Sequence, residues 1–150
     1  MLAGIISDTH GLLRPEARDA LQGCDTIIHA GDIGKPEVLD GLRAIAPLTV
    51  IRGNVDKWAH DLPDTDVVEM EGRRIYIIHN VRELDFDPRQ AGFDAVISGH
   101  SHKPGIREEG GVLYLNPGSA GPRRFRLPVA LARLTVSREK LEAKIIYIEQ

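Results

Sequence analysis

The chain has 150 residues, enough for one domain with a sizeable core. Its 42% apolar and 27% charged residues are ordinary for a globular protein, and its net charge of -3 argues against a dedicated nucleic-acid binder. No apolar run approaches the ~20 residues of a membrane span, and the single cysteine, Cys24, excludes an internal disulfide, which fits a cytoplasmic setting.

The opening run, Met1 to Ile6, meets Asp8 at once and lacks a basic leader or cleavage pattern. It is expected to be a strand, Leu2–Ser7, and not a signal peptide. After Asp8-Thr9-His10-Gly11, Pro15 suits the first turn of a helix over Glu16–Leu21 and Gly23 suits its end. Strand two is Thr26–Ala30. A second short helix opens near Pro36 and closes before Pro47, and strand three is Leu48–Arg52. Strand, helix, strand, helix, strand is the grammar of right-handed parallel crossovers. Lys57–Asp64 has no period and reads as a loop. Val67–Met70 and Arg73–Ile78 read as strands joined by a tight turn at Glu71-Gly72, and Glu83–Gln90 as a loop with a short helix ending at Gly92. Strand Asp94–Ile97 leads into Ser98-Gly99-His100-Ser101-His102. Beyond it, Gly110-Gly111 marks one hairpin. Val129–Val136 and Leu141–Ile148 mark another, with imperfect alternation that admits a bulge. This antiparallel C-terminal half is expected to form a second sheet packed on the first.

Five apolar runs end in metal-type side chains: Asp8 and His10, Asp32, Asn54, His79, and His100 with His102. If those strands share a direction, the donors converge where open α/β sheets keep their sites. Two carboxylates, one amide and four imidazoles without a thiolate suit Mn, Fe, Zn, Co or Ni better than Ca. Two such ions, held about 3.5–4 Å apart by a bridging carboxylate, can activate a hydroxide and neutralise a phosphoester. The expected cofactor is two divalent transition metal ions per chain, Mn foremost.

Asp8-Thr9-His10, Gly31-Asp32, Gly53-Asn54-Val55-Asp56, His79 and Gly99-His100-Ser101-His102 occur in the order and approximate spacing of the calcineurin-like metallophosphoesterase superfamily. Ile28-His29-Ala30-Gly31-Asp32 and Asn116-Pro117-Gly118-Ser119 bring the chain nearest to its small prokaryotic phosphodiesterases of the YfcE type. The resemblance covers nearly the whole chain. It implies an α/β fold of two packed mixed β-sheets flanked by helices, a four-layer sandwich in a single domain over residues 1–150. It implies that Asp8, His10 and His102 hold one metal, that Asn54, His79 and His100 hold the other, and that Asp32 bridges. Two departures stand out. Larger members carry a His after the Gly-Asn, thought to protonate the leaving group, and here that position is Val55. Relatives usually have His-Gly where this chain has His79-Asn80.

The expected catalytic set is Asp32, Asn54 and Asp56, the last of which either orients a ligand or caps a helix. Asn54 and Arg123 are the expected substrate contacts. Arg123, Arg124 and Arg126 form the one basic cluster and either face solvent or draw in an anion. His29, inside a strand, reads as a packed or supporting residue, and Cys24 as a structural thiol. Asn116–Ser119 is a turn with or without a part in the site. Trp58 is an exposed residue or a lid anchor.

The expected function is divalent-metal-dependent hydrolysis of small or nucleotide-like phosphodiesters by a dinuclear metal-activated hydroxide. The missing acid at Val55 favours diesters over a phosphomonoesterase reaction. The competing reading is a non-catalytic protein-binding scaffold of the same fold, as in a retromer subunit with an eroded metal site. Partners are then a small phosphoester substrate and neither membrane nor dedicated nucleic acid, with a homodimer the commonest assembly for such chains.

Overall fold

The structure is a computed structural model that describes residues 1–149. Two five-stranded mixed sheets pack face to face. The first holds β1 (Leu2–Ile6), β2 (Thr26–His29) and β3 (Leu48–Val50), all parallel, joined through α1 (Pro15–Ala20) and α2 (Pro36–Arg43). The second holds β4 (Thr65–Met70), β5 (Arg73–Ile78), β6 (Ala95–Ile97), β7 (Gly105–Glu109) and β8 (Val112–Asn116) in the order β4-β5-β6-β8-β7. The last two strands are β9 (Val129–Val136) and β10 (Leu141–Glu149).

The period-two alternation decides the packing. Ala3 and Ile5 of β1, Ile28 of β2, Ile75 and Ile77 of β5, and Ala95 and Ile97 of β6 fill the space between the sheets. Their neighbours Ile6 and Ile27 face outward onto Ala17, Leu21, Val38, Leu39 and Leu42 of the two helices. Gly4 makes that contact possible, because a Cβ there would overlap the Leu21 side chain. Both helices begin on proline with a glutamate in the first turn, which suits the unpaired N–H groups and positive dipole end.

Three expectations change. The β9–β10 hairpin does not build the second sheet. It extends the first, with β9 antiparallel to β1 at Leu2 opposite Thr135. Val129–Ala132 are buried throughout, as a strand covered on both faces must be, and β1 needs a partner on its other edge. The bulge lies at Tyr147–Glu149, opposite Ala130 and Val129. Second, the His79 and His100 strands lie in the second sheet, so the five ligand-bearing strands do not share one. Third, the helix expected before Gly92 shrinks to a 3-10 turn, Val81–Glu83, and one hydrogen-bonded turn closed by Ala91 on Asp87. The outer face of the second sheet is therefore covered thinly, by Phe86 and Phe93 packed on Tyr76. Among the described residues, no helix is long and apolar enough to cross a membrane.

Candidate metal centre

Where β1, β2 and β3 of one sheet and β5 and β6 of the other run out, their loops meet. The first two ligand loops are stitched together by the backbone: Asp8 N–H donates to Gly31 O and His10 N–H to Asp32 O, both at 3.0 Å. The loop after β6 is tied to β5 by Gly99 N–H donating to His79 O at 2.9 Å. Two groups of potential donors result, Asp8 with His10 and His102, and Asp32 with His79 and His100. Within each group the ligand atoms lie within 4.8 Å of one another.

The local backbone is bent for this purpose. Asp8, His10, Asp32, His100 and His102 all have positive φ, between 46° and 69°. Among the described residues only Glu71 and Phe125 are other non-glycine residues of that kind. Left-handed backbone costs energy outside glycine and persists where its surroundings impose it, typically at functional sites. Here the imposition is visible at Gly99, where any Cβ would overlap Ser7 Oγ and crowd the Asp8 carboxylate.

Asp8 shows how each donor atom is prepared. Its Oδ2 accepts from Ser7 Oγ at 2.7 Å and from His100 N–H at 3.0 Å. Its Oδ1 is buried without a hydrogen bond and lies 3.4 Å from His102 Nε2, 3.9 Å from His10 Nε2 and 4.0 Å from His79 Nε2. Asp32 is similar. Its Oδ1 accepts from Val55 N–H at 3.2 Å, and its Oδ2 stands 3.2 Å from His79 Nε2 and 3.7 Å from His10 Nε2. It thus faces a histidine of each group. His79 Nδ1–H donates to Ala30 O at 2.7 Å, which leaves the Nε2 lone pair for the site. Buried polar atoms are normally satisfied. Asp8 Oδ1, His10 Nε2 and His79 Nε2 are not, and all three lie at the centre of the cluster. An oxygen-and-nitrogen set of this composition fits divalent transition metals.

Burial would lift the Asp32 pKa, but the His79 side chain beside it, with the Val55 N–H, holds it well below the usual carboxylate range. Burial alone would lower His79, yet the Asp32 carboxylate beside Nε2 and the Ala30 carbonyl on Nδ1 raise it.

The remaining expected residues lie around this centre. Asn54 is exposed on the turn after β3 and lines a cavity of about 410 Å³ with His79 and Asn80. Asp56 is fully buried behind the ligands. Its Oδ2 accepts from Ile33 N–H (3.0 Å) and Gly53 N–H (2.9 Å), and its Oδ1 from Gly34 N–H (3.0 Å). It caps no helix. It clamps the Asp32 loop to the Asn54 loop, and both its oxygens are spent on backbone. His29 is buried as well: Nδ1 accepts from Gly31 N–H at 3.1 Å and Nε2–H donates to Thr9 Oγ1 at 3.0 Å, whose own hydrogen goes to Ile33 O. That pattern requires the neutral ring, and burial accordingly pushes its pKa down to about 4. Arg123 stands exposed on the loop after Gly121, which packs against the backbone of Asp8 and Thr9. Val55 and Trp58 are exposed, at 48% and 36%. Burial raises the Cys24 thiol.

Sequence reasoning missed how much support the loops receive. Asn116 Nδ2 donates to Gly99 O at 2.9 Å and to Ser101 Oγ at 3.1 Å, so the late turn anchors the two-histidine loop. Ser119 Oγ donates to Asp8 O at 2.9 Å. Only the motif Asn116–Ser119 hinted at this. Ser7 and Thr9 carried no signal beyond their position beside Asp8.

The sheets and the donor cluster together define a two-sheet α/β protein with two groups of potential oxygen-and-nitrogen metal donors at its strand ends. The chain belongs to the calcineurin-like phosphoesterase superfamily, whose domain model matches residues 1–139. It is 37% identical to a probable metallophosphoesterase of Methanothermobacter thermautotrophicus, over 97% of this chain and 92% of that one. Among solved structures, an archaeal phosphodiesterase superposes with a TM-score of 0.80 at 27% identity, covering 98% of this chain and 99% of that one. Vps29 of Entamoeba histolytica, in a structure complexed with zinc, superposes with a TM-score of 0.77 at 24% identity over 99% and 100% of the two chains, a likeness of fold.

Proposed function

We propose that the protein is a phosphodiesterase that acts on small or nucleotide-like phosphodiesters with two divalent transition metal ions, Mn foremost. The observation that carries this is the convergence of three orphaned buried donor atoms, Asp8 Oδ1, His10 Nε2 and His79 Nε2, on one point of a phosphoesterase fold. Asp8, His10 and His102 would hold one ion, and Asn54, His79 and His100 the other. Asp32 would bridge, since its Oδ2 faces His10 and His79 alike. Ions bound there would lower the pKa of a water to near neutral and offset the phosphate charge. The chain's own residues do the rest. Ser7 and His100 N–H fix Asp8, Ala30 O fixes the His79 tautomer, and Val55 N–H fixes Asp32. Asn54, exposed and lining one cavity with His79, would touch the substrate. Arg123 would meet anions on approach. Asp56, with no free oxygen, acts as a positioning residue rather than in the reaction.

Val55 offers no proton, and its N–H is committed to Asp32. A leaving group that departs without an acid is a good one, which favours an activated diester. The scaffold reading rests on the Vps29-like fold alone, at 24% identity, whereas the phosphodiesterase reading has a solved phosphodiesterase at 27% identity beside it. The test is hydrolysis of bis(p-nitrophenyl) phosphate and of p-nitrophenyl phosphate by Mn-loaded protein. Faster diester cleavage supports the proposal. Faster monoester cleavage would assign a phosphomonoesterase, and no hydrolysis of either would refute the enzyme.

A further inference from the structure

Two cavities flank the metal centre, and they differ in charge. On the Asn54 side, the cavity is lined by Asp64, Glu83 and Asp85, and its one cation, Arg52, is already paired with Asp64 at 2.9 Å. On the His100 side, a cavity of about 350 Å³ is lined by Arg82 and Lys103 and by no acid. Lys103 follows the ligand His102 directly and also lines an adjoining slot of about 270 Å³ with Val81, Ile106 and Tyr114. The elements set this asymmetry. The 3-10 turn after β5 projects Arg82 to one side and Glu83 to the other, and the loop after β6 carries Lys103 across from Arg82.

A phosphodiester has two different ends, and such a site distinguishes them. We propose that the natural substrate is an asymmetric phosphodiester, one of whose alcohols carries a further anionic group. That end would lie over Arg82 and Lys103, and the uncharged end over the acidic cavity beside Asn54. Opposite charge draws the anionic arm to one side, and like charge repels it from the other, so the two cavities act together on orientation. This deepens the phosphodiesterase reading and rests on it. Arg82 and Lys103 are specificity residues here, touching the non-reacting arm.

The test compares p-nitrophenyl propyl phosphate with p-nitrophenyl 3-phosphopropyl phosphate, which adds only a terminal phosphate. The Mn-loaded wild type is expected to show a kcat/KM about tenfold higher for the second probe at low salt, mostly through KM, with the advantage shrinking as salt rises. The double variant Arg82→Gln, Lys103→Gln should bring the ratio of the two kcat/KM values close to one while still cleaving the propyl probe, which also shows it to be folded. Propane-1,3-diol bisphosphate, titrated calorimetrically, should bind the double variant about tenfold more weakly. Equal rates of the wild type on both probes, or an advantage that survives in the double variant, overturns the inference and leaves the phosphodiesterase reading standing. Hydrolysis of neither probe overturns both.

Discussion

Replacing Asp56 by Asn tests whether the metal centre is held from behind. The side chain is fully buried and accepts three backbone N–H groups, from Ile33, Gly34 and Gly53, at 2.9–3.0 Å. Asn has nearly the same shape but only one accepting oxygen, so its NH2 must face at least one of those donors. A hydrogen bond to a charged group contributes about 1.5–3 kcal/mol, and an orphaned buried donor costs about 1–3 kcal/mol. A net loss of about 3 kcal/mol follows for D56N. With a urea dependence of about 2 kcal/mol per M, the unfolding midpoint should fall by about 1.5 M. The Asp32 and Asn54 loops lose their common clamp, so Mn affinity should fall about tenfold or more, as when a metal site's supporting partners are removed. Urea unfolding followed by circular dichroism and calorimetric Mn titration read the two effects. A midpoint shift below ~0.3 M with unchanged Mn affinity would refute the clamp.

Further predictions follow from single contacts. His29 must be neutral in the fold, with a pKa of about 4 against about 6.5 unfolded, so the unfolded chain takes up the proton first as pH falls. Its stabilisation is complete above pH ~6.5 and is lost between there and about 4. In the metal-free protein this amounts to about 2 kcal/mol between pH 7 and pH 5, and His29→Gln should lack that part of the slope in urea titrations at the two pH values. Gly99→Ala places a Cβ against Ser7 Oγ and the Asp8 carboxylate, and should weaken Mn binding about 10–100-fold in the same calorimetric assay while the circular dichroism spectrum is kept; a loss under about twofold would contradict the geometry. Because Asp32 and Ala30 raise the His79 pKa, protons compete with Mn there, and affinity should fall as pH drops. Calorimetry in two buffers of different ionisation enthalpy counts the protons released, and a count of zero at pH 6.5 would refute the coupling.

The strand-end positions of the candidate donors were legible because each closes an apolar run, so strand ends and chemistry were read from the same residues. The hairpins were legible for the same local reason: Glu71-Gly72 and Gly110-Gly111 adopt the positive φ that tight turns require. The partition of strands between sheets was not. Nothing within Val129–Val136 says that its partner is β1, 127 positions or more earlier, and pairing at that separation is settled by which edge is left open. The helix expected near Gln90 failed because Asp87 and Pro88 support only a single turn, with Asp87 Oδ1 accepting from Arg89 N–H. The positive φ at Asp8, His10, Asp32, His100 and His102 was not read from the sequence, because Asp and His, though enriched there among non-glycine residues, adopt it at only a small fraction of their positions. The part of Asp56 was half visible: its place after Gly53-Asn54 marked it, while its three backbone partners come from another loop.

A paired metal centre bridged by Asp32 is tested most directly by metal content per chain after Mn loading, by elemental analysis, for the wild type and Asp32→Asn. About two Mn per chain are expected in the wild type and fewer in the variant, with diester hydrolysis lost alongside. A wild type that binds no metal after loading, or an Asp32→Asn protein that keeps both ions and full activity, would contradict it.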